Sequence, residues 1–277
     1  MKKSILTFAS AAVLTATSYA QTYDKVFYKD VTKETNDVTV TIDNAVSTAG
    51  ETKFKLKITN KTNDYILYKP FESKFVIDGK ETKPSEKMIV IKPNESNFVT
   101  VNLKGSGYNA VKNYSYVLDG LYTVSTGGKG ITTPNFKLPA SQNEFKTGAF
   151  TCNMADLVKT SGKTAAKFKC TYSGDKIGVI HYTRPALKLP DGTEHANEKK
   201  PGLLDSKAKE MLVMKGDEVT LGVEWEKMEG GRATDMQKIP LEIIWNATFT
   251  EAPAVKVNAE TLALEFDEVT TNAKGKK

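Results

Sequence analysis

The chain has 277 residues, of which 39% are hydrophobic and 26% are charged, a composition that suits one or two domains with packed cores. Its formal net charge is +6, and its lysines are scattered along the whole chain rather than clustered. Nucleic-acid binding needs clustered positive charge, so the pattern argues against nucleic acid as a partner.

The first 20 residues have the features of a secretory signal peptide. Two lysines precede an uncharged stretch of apolar and small residues, and Ser18 and Ala20 place small residues before a predicted cut at Gln21. The uncharged stretch is shorter than the roughly 20 residues of a membrane-spanning helix, so no transmembrane segment is expected. Loss of the two lysines would lower the net charge from +6 to +4. We expect an exported protein that is periplasmic, associated with the outer membrane, or secreted.

Short alternations of apolar and polar residues, separated by turn residues, follow along the rest of the chain. We expect a first unit over residues 21–143, ending in a short strand at residues 135–139 and a linker. A second unit is expected over residues 144–277, with a longer loop at residues 190–210 and a basic, frayed C-terminal tail. Period-2 alternation between regularly spaced turns predicts an all-β fold of the sandwich type.

Two parts of the chain resemble each other at a constant spacing of 112 residues. Residues 38–60 align with residues 150–172, and Gly50 then corresponds to Gly162. A later pair of stretches aligns at a spacing near 123, as expected if one copy carries a loop insertion. The pattern predicts two tandem β-sandwich domains related by internal duplication.

The repeat decides the meaning of Gly162-Lys163-Thr164, which matches the end of a phosphate-binding loop. Such a loop also needs a glycine where Leu157 stands and a helix after Thr164, whereas a strand pattern follows. The stretch is therefore predicted to be a hairpin turn.

Cys152 and Cys170 lie nine residues on either side of Ser161, so they would face each other in this hairpin. The corresponding residues of the first copy are Val40 and Ile58, which indicates the core side of the sheet. In an oxidising compartment the pair is predicted to form a disulfide, with two buried free thiols as the alternative. A catalytic thiol would need an exposed, electropositive setting and is not expected.

The stretch ETKFKLKITNKTNDYILYKPFESKFVIDGKE, residues 51–81, resembles the immunoglobulin-like, telokin-type modules of bacterial exported proteins. Residues 166–194 keep the same plan of strands and turns. The resemblance covers about the first half of each unit and implies an immunoglobulin-like fold and export. It brings no catalytic residues with it.

No catalytic, cofactor or metal motif is found along the chain. His181 lies in an apolar run and is expected to be a strand residue rather than a ligand. His195 lies in the longer loop beside Glu194 and Glu198, too small a set for a metal site. We therefore expect no catalytic residue, no cofactor and no bound metal.

Aromatic residues form the remaining candidate site. Tyr114 and Tyr116 alternate on one strand, as a platform for a sugar ring would require, but the same alternation is typical of a core-facing strand, which we favour. The other aromatic candidates are Tyr108, Tyr122, Trp225, Trp245 and Phe249.

Three functions are compatible with these features. The leading hypothesis is a non-enzymatic accessory or scaffold protein that binds other envelope proteins. The alternative is a glycan-binding module, which needs exposed Tyr or Trp side chains in a row, and the third is a hydrolase with paired carboxylates between the units. The loop at residues 190–210 or the Tyr-rich strand would be the contact surface.

Overall fold

A computed structural model describes residues 23–198, 210–226 and 235–276. The expected signal peptide, the predicted cut at Gln21 and most of the second half of the longer loop lie outside the described residues. The described chain is nearly all antiparallel β-structure with one short α-helix, which confirms the all-β class. No described helix is long and apolar enough to cross a membrane.

The first eleven strands form what we call the N-terminal unit, residues 23–124. They are β1 (Lys25–Phe27), β2 (Val31–Glu34), β3 (Val38–Thr48), β4 (Glu51–Asn60), β5 (Tyr65–Tyr68), β6 (Lys74–Ile77), β7 (Lys80–Thr82), β8 (Ile89–Ile91), β9 (Ser96–Lys104), β10 (Asn113–Leu118) and β11 (Leu121–Val124). One sheet has the order β1-β3-β4-β9, with β2 also paired to β3. Two further sheets contain the runs β10-β6-β7 and β11-β5-β8.

The core of this unit follows from the period-2 pattern of its strands. In β4, Phe54, Leu56 and Ile58 are buried and alternate with lysines that point away from the core. The facing sheet contributes Phe75 and Tyr116, and the ring of Tyr116 meets that of Phe54 edge to face at 4.9 Å. Side chains from all three sheets of the unit thus form one apolar core.

The next eleven strands form the C-terminal unit, residues 128–252. They are β12 (Phe136–Leu138), β13 (Glu144–Thr147), β14 (Phe150–Lys159), β15 (Lys163–Tyr172), β16 (Ile177–His181), β17 (Ala186–Lys188), β18 (Glu194–Ala196), β19 (Glu210–Val213), β20 (Glu218–Glu226), β21 (Leu241–Ile244) and β22 (Phe249–Ala252). Their sheets have the orders β13-β14-β15-β20, β12-β21-β17-β18 and β19-β16-β22. The core contains Phe168 and Trp245, whose rings meet edge to face at 5.3 Å.

The hairpin predicted around Gly162 is confirmed. β14 ends at Lys159 and β15 begins at Lys163, so the phosphate-loop-like residues form the turn and the start of a strand. Both long hairpins carry a register shift at a comparable place, between Asp43 and Val46 in one and between Met154 and Asp156 in the other.

The last two strands, β23 (Val255–Lys256) and β24 (Glu260–Glu265), correct the expected boundary at residues 143/144. β24 pairs with β10 and β23 pairs with β11, so these two strands belong to sheets of the N-terminal unit. Conversely, β12 pairs with β21 of the second unit, although the sequence predicts that it closes the first. Alternation identifies a strand, but it does not identify the neighbour with which that strand pairs.

The basic C-terminal end is not frayed over its described residues, which corrects the expectation from sequence. Helix α1 (Glu268–Lys274) is capped by Asp267, whose carboxylate accepts a hydrogen bond from the Thr270 backbone N–H at 2.9 Å. The backbone N–H groups of Asp24 and Lys25 donate to the carbonyl of Gly275 at 2.9 and 3.2 Å. The first and last described residues therefore lie side by side.

A separate apolar cluster joins the two units. Leu67 of β5 and Val124 of β11 are buried together with Val179 of β16 and Ala252 of β22. Each unit thus offers one of its smaller sheets to the other.

Candidate functional site

The two cysteines form a disulfide inside the C-terminal unit. Cys152 and Cys170 are directly opposite in the β14–β15 ladder, with 2.07 Å between their sulfurs, and both side chains are fully buried. Val40 and Ile58 are directly opposite in the β3–β4 ladder and are also buried. The predicted pairing is confirmed, and its setting is that of a core residue pair.

The two histidines are placed apart. His181 ends β16 and is 2% exposed, with Nδ1 3.6 Å from Glu210 Oε1 and Nε2 3.4 Å from Thr250 Oγ1. Burial, followed by the nearby charge of Arg184, lowers the pKa of His181 to about 4, so the ring is neutral at physiological pH. His195 lies on the edge strand β18.

The aromatic candidates are not arranged as a binding platform. Tyr114 and Tyr116 are 5% and 0% exposed, and burial raises the pKa of both hydroxyls. Trp225, Trp245 and Phe249 are also buried. The core interpretation favoured from the sequence is confirmed for these five residues.

Two tyrosines remain half-buried at the surface. Tyr108 lies in a single 3₁₀ turn. The hydroxyl of Tyr122 donates to Glu72 Oε2 at 2.6 Å, and Lys69 Nζ lies 4.3 Å from the centre of the Tyr122 ring. These contacts use the polar end and one face of the Tyr122 side chain.

The described part of the longer loop, residues 190–198, covers the edge of a sheet. The carbonyl of His195 accepts a hydrogen bond from Trp225 Nε1 at 2.9 Å, and Asn197 Oδ1 accepts one from the backbone N–H of Glu224 at 2.8 Å. This part of the loop protects β20 from pairing with another strand. The rest of the proposed contact loop, residues 199–209, lies outside the described residues.

A further surface, not predicted from the sequence, lies on the outer side of the β3-β4-β9 sheet. Phe98 of β9 is 58% exposed there, directly opposite Lys57 of β4. Lys55 Nζ lies 4.6 Å from the centre of the Phe98 ring, a cation–π contact. Thr41 and Thr100 lie opposite Lys57 and Lys55 respectively. We call these five residues the Phe98 face.

The electrostatics of the Phe98 face are cationic at its centre. No carboxylate of the described residues forms an ion pair with Lys55 or Lys57. Asp43 lies opposite Lys55, but its carboxylate instead accepts a hydrogen bond from Asn44 Nδ2 at 2.5 Å. An exposed aromatic ring in contact with one lysine and opposite another, neither of them in an ion pair, suits a partner that is both acidic and apolar.

The comparable face of the C-terminal unit is neutralised. Lys167 of β15 is 3.2 Å from Asp156, and Lys169 is 3.7 Å from Glu218. Opposite Lys169 stands Thr220, as Phe98 stands opposite Lys57. The two outer faces therefore share a backbone arrangement and differ in charge and apolar exposure.

The signal for Phe98 is present in the sequence. In NFVTVNL, residues 97–103, Val99, Val101 and Leu103 point to one side of the sheet, and Phe98 is in phase with Thr100 on the other. An aromatic residue in the polar phase of an alternating strand is the mark of an exposed ring.

The described part of the chain brings together no side chains arranged as a metal site. Across residues 23–198, 210–226 and 235–276, no group of three or more His, Cys, Asp or Glu side chains is placed to hold a metal ion.

Comparisons with known proteins add no family. No protein-family description matches the chain, and no curated protein is similar to it. Among solved structures it is similar to the crystal structure of AerE from Microcystis aeruginosa, with 10% identity over 90% of this chain and 100% of that chain and a TM-score of 0.13. At that TM-score the similarity carries no argument about fold or function.

Proposed function

We propose that this chain is an exported, non-enzymatic accessory or scaffold protein that binds another envelope protein through the Phe98 face. The single observation that supports this function is the exposed Phe98 ring, which lies opposite Lys57 and is in cation–π contact with Lys55. Aromatic residues, Phe among them, are enriched at the centres of protein interfaces, and lysines around such a residue favour a partner of opposite charge. The partner would present an apolar side chain surrounded by carboxylates.

The proposal includes two immunoglobulin-like sandwiches related by duplication. It is supported by the matching registers of Val40 with Ile58 and Cys152 with Cys170, and by a register shift in both hairpins. The sheet orders β1-β3-β4-β9 and β13-β14-β15-β20 also agree. After a duplication, the outer sheet face of the C-terminal unit could stay purely structural while that of the N-terminal unit became a binding surface.

Site-specific photo-crosslinking tests the proposed contact. A photoreactive phenylalanine analogue replaces Phe98 in cells that export the protein, and the same analogue replaces Thr220 as the matched control. We expect one defined crosslinked protein with an acidic surface from position 98 and none from position 220. Absence of any adduct at position 98, or the same adducts at both positions, would contradict the proposal.

A substitution then tests whether the ring carries affinity. Phe98→Thr copies the residue of the C-terminal unit and should weaken capture of the crosslinked partner at least tenfold, because truncating an interface anchor costs about 2 kcal/mol or more. Val158→Thr is the control, since Val158 is an exposed apolar residue of the other unit at 42% exposure. Equal loss in both variants would show a general effect of surface apolarity.

A further inference from the structure

In each unit, one edge strand comes from the part of the chain next to the other unit. After β11, the next strand is β12, which pairs with β21 at the edge of β21-β17-β18. After β22, the next strands are β23 and β24, which pair with β11 and β10. β24 lies at the edge of β10-β6-β7, the place that β12 occupies in the C-terminal unit.

The segment at residues 255–275, which we call the C-terminal strap, is bound along its length by the N-terminal unit. All six residues of β24 are in register with the six residues of β10. The buried side chains of this strand are Leu262 and Leu264, at 1% and 0% exposure, and they complete the apolar core of the N-terminal unit.

The second half of the strap is held by polar contacts with β1. The backbone N–H of Phe27 donates to Thr271 Oγ1 at 2.9 Å, and the backbone N–H of Asp267 donates to the Phe27 carbonyl at 2.9 Å. Tyr23 adds a hydrogen bond from its hydroxyl to Asn272 Oδ1 at 2.8 Å. The strap therefore has a strand, an apolar pair and a capped helix as three separate points of attachment.

We propose that the N-terminal unit is a strand acceptor, whose groove beside β10 takes its own strap within one chain and the strap of a second copy between chains. Main-chain pairing and two leucine pockets recognise the strand, and neither depends on the strand belonging to the same chain. The strap is joined to β22 by a single covalent connection, which passes from Ala252 to exposed Val255. This inference does not rest on the proposed binding function.

Peptide complementation of the full chain tests the acceptor. Leu262→Asp together with Leu264→Asp places two charges in the core and displaces the strap of the chain that carries them. A labelled peptide of residues 255–276 should then bind this variant saturably at one per chain and raise its melting temperature. A peptide carrying the same two Asp residues should bind at least tenfold more weakly. A folded variant that does not discriminate between the two peptides would overturn the acceptor.

A second variant covers the case in which the double substitution prevents folding. The otherwise unchanged chain carries a protease site inserted after Ala252, the last residue of β22, and is cut only after folding. We expect the cut strap to stay bound in size-exclusion chromatography and to exchange slowly with the labelled peptide. The acceptor would be contradicted if the cut strap dissociated at once. It would also be contradicted if the strap stayed bound and did not exchange with the peptide even after partial unfolding.

The second copy is tested with the intact protein. Refolding at high concentration should give a dimer in which each strap lies in the other chain. Ser115 and Ala263 are opposite residues of β10 and β24, so one chain with Ser115→Cys and one with Ala263→Cys should become crosslinked only in that dimer. Refolding to monomer at every concentration would overturn exchange between copies.

Discussion

Cys152 and Cys170 occupy directly opposite positions of the β14–β15 ladder, and the same positions of the β3–β4 ladder are occupied by Val40 and Ile58. A disulfide in one unit and an apolar Val–Ile pair in the other therefore fill matching core positions. Both pairs lie in the core with no more than 2% exposure.

Removal of the disulfide should cost stability without changing the fold. Cys152→Val with Cys170→Ile copies the N-terminal unit, and we expect a loss of about 3 kcal/mol at most, which is the chain-entropy value for so short a loop. The melting temperature should fall by several degrees in calorimetry. Thiol titration of the native protein should find no free thiol, and two reactive thiols in native protein would contradict the structure.

Stability should fall in mild acid because of His181. Its pKa is about 4 in the folded protein and 6.5 in the unfolded chain, so the unfolded chain takes up the proton first as the pH falls. The loss begins near pH 6.5, is complete near pH 4 and amounts to about 3 kcal/mol. Denaturant unfolding across this range measures it. His181→Gln should flatten the slope, and an unchanged slope in that variant would contradict the prediction.

Comparison of two glycine-to-alanine substitutions distinguishes the free-energy cost of a left-handed backbone from the cost of a steric clash. Gly79 and Gly120 have φ of 75° and 78°, but only at Gly120 would an added Cβ lie 2.5 Å from the Lys69 carbonyl oxygen. Gly79→Ala should cost about 1 kcal/mol for the left-handed conformation. Gly120→Ala should cost at least twice as much in chemical denaturation, and equal costs would show that the chain relaxes around position 120.

The strap should contribute to global stability through its leucines. Leu264→Ala creates a cavity in the N-terminal core and should cost about 2–5 kcal/mol. Val269→Ala on α1 is the matched control, because Val269 is 81% exposed, and its effect should stay within about 0.5 kcal/mol. Hydrogen exchange should locate the weakening in β10 and β6, and weakening confined to β21 would contradict the pairing.

Export is tested by mass. The protein purified from the cell envelope should begin at Gln21, and retention of residues 1–20 would contradict the predicted signal peptide.

The hairpins are predictable because their information is local. Val40 and Ile58 alternate with polar residues on either side of one turn, so register follows from the pattern and the turn position. The cysteines give a second, independent constraint on the same hairpin in the other unit. Burial of Tyr114 and Tyr116 follows from the same alternation.

The partner of β24 is not predictable in this way. Leu262 and Leu264 have the alternation of any half-buried strand, and β12 has the same character. Which edge each strand joins depends on contacts more than 100 residues away in sequence, where local pattern has no influence. The alternation of β9 predicts that Phe98 is exposed. It indicates a binding surface only once the pairing of β9 with β4 shows which lysines lie opposite.

The pairing of β24 with β10 also determines which unit can complete its folding first. A chain that emerges from a ribosome or crosses a membrane from its N-terminus releases residues 113–118 long before residues 260–265. During that interval β10 lacks its edge partner, and the core positions of Leu262 and Leu264 are unfilled. The C-terminal unit does not have this delay, because its edge strand β12 precedes its other strands in the chain. The C-terminal unit can therefore complete its sheets before the N-terminal unit does. The half of the protein made first is therefore the half completed last, and chaperones that bind open sheet edges would meet it during that delay.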